Sequence, residues 1–172
     1  MAEVDLNRGA PPGVTLEVAS RRHEIGLRDG FNSGLAAAST RWHLPRPLRA
    51  GPYDTQAVRR YAIVRDGRVI GTCRLWHPQF AGLELAIAIF DPGERGRGVG
   101  TYAVRTLRDV AFHEMKTHRL ELGVYPDNLG AIRVYEKCGF RREALLRRYM
   151  HHDGRWRDVL WMAVLRTDAP PT

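Results

Sequence analysis

Lysine is nearly absent from this chain: Lys116 and Lys137 are the only two, although lysine and arginine together number 27 in 172 residues. A Gly-x-x-x-x-Gly-Lys-Ser/Thr nucleotide loop needs a lysine at a set place, and neither of these occupies one, so that class is excluded. Cysteine is scarce too. Cys73 and Cys138 stand far apart in the chain, which excludes a disulfide framework or a cysteine metal spacing and leaves two reduced packing residues. The histidines do not form a metal site: His113 and His118 are five apart, off the helical repeat, and His151-His152 sit at a turn. Ser33 and Ser39 lie in no nucleophile-elbow pattern, and Cys138 has no evident His partner, so no covalent intermediate is implied. No apolar run approaches the roughly 18 residues of a membrane span. The start, "MAEVDLNRGAPPGV", lacks the apolar core of a signal peptide. A cytoplasmic protein with no membrane contact is expected.

What is present is an ordinary globular balance, 44% hydrophobic and 27% charged, with a formal net charge of +8. An excess of arginine favours polyanions, either a phosphate-bearing ligand or nucleic acid, although a bias in composition produces the same excess on a plain solvated surface. Residues 1–13 are polar and end in Pro-Pro-Gly, and are expected to be disordered. Residues 168–172 read as a second tail, leaving one domain over 14–167. "VTLEVAS" alternates as a strand does. The stretch from Arg21 to Pro52 mixes small residues with helix breakers and predicts short helices and loops. "RRYAIVRDGRVIGTCRLW" holds two β-rich runs around Asp66-Gly67, a hairpin signal. "LELAIAIF" at 83–90 is a buried strand, and "HRLELGVY" at 118–125 another. Val99, Ala103, Thr106, Leu107, Val110 and Ala111 share one helical face. A second helix starts at Asp127 or Asn128 and stops at Gly139. "RREALLRRYM" and "RWRDVLWMAVLR" form a final pair of strands around "HHDG". The order predicts a mixed α/β sheet with hairpins, not a doubly wound parallel one.

The chemistry concentrates in "DPGERGRGVGTYAVRTLRDVA", Asp91 to Ala111. Glycines let the backbone approach a ligand and take positive φ. The helix start behind them offers unpaired N–H groups and a positive dipole end. Arg95 and Arg97 add cations, and the whole is an anion cradle suited to a pyrophosphate. Glu84 is a carboxylate in an otherwise apolar strand, which costs energy unless it is exposed, paired or used. Glu94 lies beside Arg95 in the loop and reads as solvated. Asn128, Ala131, Ile132 and Tyr135 share a face of the second helix.

Arg95-x-x-Gly98-x-Gly100, followed about thirty residues on by Asn128-x-x-Ala131-x-x-x-Tyr135-x-x-x-Gly139-Phe140, resembles the two signatures of the GNAT superfamily of N-acetyltransferases. "YAIVRDGRVIGTCRL" is similar to the family's central hairpin. The resemblance covers roughly Tyr61 to Arg166. It is strongest toward the ribosomal-protein N-terminal acetyltransferases (RimJ/RimL-like), with polyamine and aminoglycoside acetyltransferases nearby.

The resemblance implies an α/β fold of GNAT type: a mixed, mostly antiparallel sheet with two splayed central parallel strands, flanked by helices. It implies acetyl-coenzyme A as acyl-donor cosubstrate and no metal. The pyrophosphate would rest on Arg95, Gly96, Arg97, Gly98, Gly100 and Thr101. The pantetheine would run along Ile87, Ile89 and Phe90, past Asn128 and Ala131. Asn128 is equally natural as a helix cap. Tyr135 would be the general acid for the leaving thiolate, against a plain core aromatic. Glu84 would be the base, directly or through a water, against an exposed strand end or a structural salt bridge.

The acceptor is a primary amine, on a small molecule or a protein N-terminus. "ASRRHEIGLRDG" departs from the family's acidic start here, which disfavours polycations and leaves an acyl group other than acetyl open. Two other classes stand beside the enzyme: an inactive acyl-coenzyme A-binding module, and a basic protein contacting RNA or the ribosome through "RREALLRRYMHHDGRWRD". The same hairpin could serve a homodimer.

Overall fold

A computed structural model describes residues 3–32, 54–55, 58–77, 82–152 and 154–168. Its elements are β1 (Val14–Val18), α1 (Glu24–Asn32), β2 (Asp54–Thr55), β3 (Val58–Arg65), β4 (Arg68–Trp76), β5 (Leu83–Ile89), α2 (Val99–Asp109), β6 (Arg119–Val124), α3 (Leu129–Lys137), β7 (Arg141–His152) and β8 (Arg155–Leu165). One sheet runs β1-β3-β4-β5-β6-β8-β7, with β2 on β3. Most of the region expected as short helices and loops, 33–53, and with it Ser33 and Ser39, lies outside the described residues.

The β3–β4 hairpin closes on Asp66 and Gly67, both at positive φ, 48° and 80°. Such a turn matches the twist of the strands it joins. All neighbours are antiparallel except β5 and β6, which α2 connects as a crossover. That parallel pair is short. Only Leu83↔Leu120 and Glu84↔Glu121 are in register, while β5 continues to Ile89 and β6 to Val124. Beyond the second rung the two strands have parted. The sheet is therefore open in its middle.

The face of α2 read from the sequence is the buried one. Val99, Ala103, Thr106, Leu107, Val110 and Ala111 are all buried, and the apolar ones join Cys73, Leu75, Leu83, Leu85, Leu120 and Leu122 in the main core. Stacking an apolar helix face on an apolar sheet face supplies most of the stability, at about 25 cal/mol per Å² of area removed from water. The helix ends in a wider turn over Val110–Glu114, where the Met115 N–H donates to the Val110 carbonyl at 3.0 Å. A smaller cluster of Ala19, Leu27, Ala88 and Phe90 lies where α1 crosses the other face of the sheet.

Residues 3–13 differ from the expectation of a disordered tail. Val4, Leu6 and Ala10 pack against the main core. The Tyr102 hydroxyl donates to the Leu6 carbonyl at 2.6 Å, and Asn7 Oδ1 accepts from the Leu16 N–H at 2.9 Å. Asn7 thus satisfies a donor on the edge strand β1, and three spaced apolar side chains suffice to hold the segment down. Near the other end, Asp168 is also tied in, accepting from the Leu165 N–H at 3.2 Å and pairing with Arg141.

Candidate active site

The site is built around the parting of β5 and β6. At the far end of β5 the chain enters the glycine loop. Gly96 and Gly98 both sit at positive φ, 75° and 82°. Gly98 is the N-cap of α2, and no side chain caps that helix. A Cβ at Gly96 would meet nothing within 4 Å, and one at Gly98 only Pro11 at 4.0 Å. Backbone conformation demands these glycines, not crowding, and the surface they leave is bare. The first N–H groups of α2 have no intrahelical acceptor, so they point out with the positive end of the dipole. Arg95 and Arg97 are exposed beside them.

Gly100 serves another purpose. A Cβ there would touch Ile89 Cδ1 at 3.6 Å and Val134 Cγ1 at 3.8 Å, so the loop, the end of β5 and α3 converge at this point. The Thr101 carbonyl accepts from Cys138 Sγ at 3.6 Å, which ties the start of α2 to the end of α3. Ile87 and Ile89 are half-buried and pack on the main core. Phe90 departs from the others. Its ring packs under α1 with Leu27 and Ala19, and its N–H donates to the Ile70 carbonyl at 2.9 Å. The fold itself engages its ring and its N–H. Glu94 is not solvated as expected: it is buried and accepts from Arg65 Nε at 2.9 Å.

On α3, Asn128 is the N-cap, its Oδ1 accepting from the Ala131 N–H at 3.2 Å. Ala131 is half-buried and packs on the core. Tyr135 is buried, its ring 5.9 Å from that of Phe140. Burial, and to a lesser degree neighbouring Cys138, push its hydroxyl well above the usual 10. It is a neutral phenol at any working pH, able to give a proton but not to hold a charge cheaply.

Glu84 stands at the last rung before the strands part. Trp76 is its register partner on β4 and Glu121 its partner on β6. It is buried, and its carboxyl is raised to about 7, first by burial, then by Glu121, with Arg74 opposing. Glu121 is held by Arg119 Nε at 2.7 Å, and the other end of that guanidinium grips Glu143 at 3.0 and 2.6 Å. Glu84 is thus a carboxylate poised to take up and release a proton near neutrality, the property a general base needs.

Glu121 and Arg74 were missed in reading the sequence. Glu121 carries the same signal as Glu84, a lone acid in the apolar run "LELGV". Arg74 is camouflaged by the alternation of β4, in which an exposed arginine is ordinary.

A family model for the acetyltransferase (GNAT) domain matches residues 32–141. That is well over half of the chain, which belongs to this family. A probable N-acetyltransferase of Bacillus subtilis strain 168, YjcK, is 42% identical over 105 residues, 60% of this chain and 58% of that protein. The chain spans about half to two thirds of the length of the first curated relatives it matches. The fold also matches Mycobacterium smegmatis RimJ in complex with CoA-disulfide, with a TM-score of 0.72 at 22% identity over 92% of this chain and 85% of that one. It matches the spermidine N-acetyltransferase of Vibrio cholerae in complex with CoA and spermine, with a TM-score of 0.71 at 23% identity over 91% and 97%. The mixed sheet with its splayed parallel pair is the fold these proteins share.

Proposed function

We propose that the protein is an N-acetyltransferase that passes an acetyl group from acetyl-coenzyme A directly to a primary amine. The observation that carries this is Glu84, a buried carboxylate raised to about 7 at the rung where β5 and β6 separate. The residues present fit the acyl donor. Gly96, Gly98 and Gly100, the uncapped start of α2 and the side chains of Arg95 and Arg97 would hold its pyrophosphate, with Thr101 completing the first turn. The exposed edges of β5 at Ile87 and Ile89 would take its pantetheine amides, with Ala131 leaving room. Asn128 contributes by capping α3. When bound, the donor supplies an activated acetyl thioester.

This chain's own residues supply the proton chemistry. Glu84, directly or through a water, removes the proton from the incoming ammonium so that the nitrogen lone pair is free. A backbone N–H near Ile89 would stabilise the developing oxyanion. Tyr135 delivers a proton to the departing sulfur. Fixing both reactants in one groove contributes much of the acceleration. The acceptor is an amine on a small molecule or at a protein N-terminus. Contact with a second copy, or with RNA or the ribosome, through β7 and β8 is a further proposal. It is supported by exposed Tyr149 and Trp156 among arginines, and is tested by sedimentation and by RNA titration over a salt range.

Calorimetric titration of acetyl-coenzyme A, followed by thiol release with a panel of amines, tests the function. Binding with amine-dependent thiol release is the expected result. Glu84→Gln and Tyr135→Phe should each lower turnover by about 10²–10⁴-fold while leaving acetyl-coenzyme A affinity within about threefold. Binding without turnover on any amine would favour an inactive acyl-coenzyme A-binding module instead.

A further inference from the structure

The face of the sheet that carries Glu84 holds a second charged group whose chemistry the acetyl transfer does not use. Arg74 lies on β4 opposite Ala86, and Trp76 lies opposite Glu84. Arg74 and Glu84 are therefore diagonal neighbours on one face, about 7–8 Å apart along the diagonal and within reach of long side chains. The Arg74 guanidinium stacks on the Trp76 ring at 4.3 Å. Its Nε is buried with no hydrogen-bond partner among the described residues. Leaving a buried charged donor unpaired is costly. Arg60 makes the situation more acute. It is the register partner of Arg74 on β3, half-buried, and in no ion pair among the described residues.

Among the described residues, the neighbouring carboxylates do not neutralise this pair. Glu121 is engaged by Arg119. Glu84 is near its own midpoint at neutral pH, so it supplies only part of a negative charge. Burial, then Arg60, depress Arg74 to about 10, with Glu84 opposing, which leaves it cationic under working conditions. Two guanidinium groups thus share this face, and the one beside the base, Arg74, has a donor that meets no acceptor among the described residues. An anion placed there satisfies that donor and separates two like charges. Guanidinium groups are suited to this by their planar fork, which matches a carboxylate or a phosphate.

We propose that Arg74, supported by Arg60, binds an acidic group of the acceptor, so that the substrate is a small molecule carrying both a primary amine and a carboxylate or similar anion. The amine is set at Glu84 and the anion at Arg74, a few ångströms further along the same face. This rests on the acetyltransferase reading above and narrows it. A polyamine finds cations where it needs acids, in keeping with the basic "ASRRHEIGLRDG" stretch of the same chain. Trp76 holds the Arg74 guanidinium over its ring, which limits where that group can meet the acceptor.

The test compares matched acceptors at about pH 8.5, above the value of about 7 at which Glu84 ionises: a series of α- and ω-amino acids, their carboxamides, a dipeptide series with a free N-terminus, and spermidine. Thiol release is followed on the full-length protein, and binding of the same compounds to the coenzyme A-loaded protein is measured by calorimetry. At least one amino acid is expected to have a KM tenfold or more below that of its carboxamide. Arg74→Gln should erase that ratio by raising the KM of the acid far more than it lowers kcat. Arg74→Lys should restore part of it. An arginine that only braced the strand would alter stability without moving the acid-to-amide ratio.

A carboxamide or spermidine that equals or outperforms every acid would overturn the proposal, as would a ratio unchanged in Arg74→Gln. A preference confined to the dipeptides with an acidic side chain would place the anion on a peptide and overturn the small-molecule assignment. If no amine releases thiol, the acetyltransferase reading fails. The anion site is then judged by calorimetry alone, where an acid that binds no better than its amide overturns it.

Discussion

The two helices beside the site begin in opposite ways. The start of α3 is closed by its own chain: Asn128 accepts from the Ala131 N–H at 3.2 Å. The start of α2 has a left-handed glycine for an N-cap and no side chain on its donors. One helix spends its polar groups on folding, and the other leaves them for something else. The same contrast separates two buried carboxylates of one segment. Glu94 is paired with Arg65 at 2.9 Å, whereas Glu84 is pushed to about 7 beside Glu121. Where the fold satisfies a group it gains stability. Where it leaves helix donors uncapped or sets two carboxylates side by side, it keeps a binding or proton-transfer capacity.

Substitutions at Gly98, Asn128, Glu121 and Glu84 break that contrast in order of expected size. Gly98→Asp puts a carboxylate where an anion is to bind and strains a residue at φ 82° by about 1–2 kcal/mol. Calorimetry should show acetyl-coenzyme A affinity falling by about 100-fold or more, with the circular dichroism spectrum unchanged; retained affinity would move the pyrophosphate elsewhere. Asn128→Ala removes a cap and should lower stability by about 1 kcal/mol in urea denaturation. If it also reduced acetyl-coenzyme A affinity tenfold, α3 would not be as closed as its geometry indicates.

The two acids differ in the pH behaviour they predict. Activity that needs ionised Glu84 falls as pH drops below about 7. Glu121→Gln removes the like charge and should move this limb of the kcat/KM profile to lower pH; an unmoved limb would assign it to another group. For stability the sign is the reverse of the usual carboxylate. The folded chain keeps the Glu84 proton up to about 7, while the unfolded chain releases it near 4.5. Its contribution is therefore present below 4.5 and lost as pH rises toward 7. Glu84→Gln should flatten the stability–pH curve in that window, a small effect that thermal melts at several pH values would detect.

How much of this was legible depended on range. Asp66-Gly67 announces its hairpin because two adjacent residues at positive φ are rare outside turns. The buried face of α2 was readable because a helix repeats every 3.6 residues wherever it occurs. The glycine loop stood out because its need is conformational and local. Glu94 was misread as solvated because its partner, Arg65, comes from the other side of a hairpin and a strand. The N-terminal segment was misread because three apolar residues look sparse until a core is available to receive them.

By itself, then, the sequence determined the element order, the two helix starts and the presence of an acid in a strand that should hold none. These follow from propensity, periodicity and capping, which act within a few residues. The tertiary structure decided that β5 and β6 part after two rungs, that Glu84 meets Glu121 there, and that Arg74 lies diagonally beside it. These are matters of register between strands far apart in the chain. A shift of one residue would send each side chain to the opposite face, and only the packing of the whole sheet selects the register.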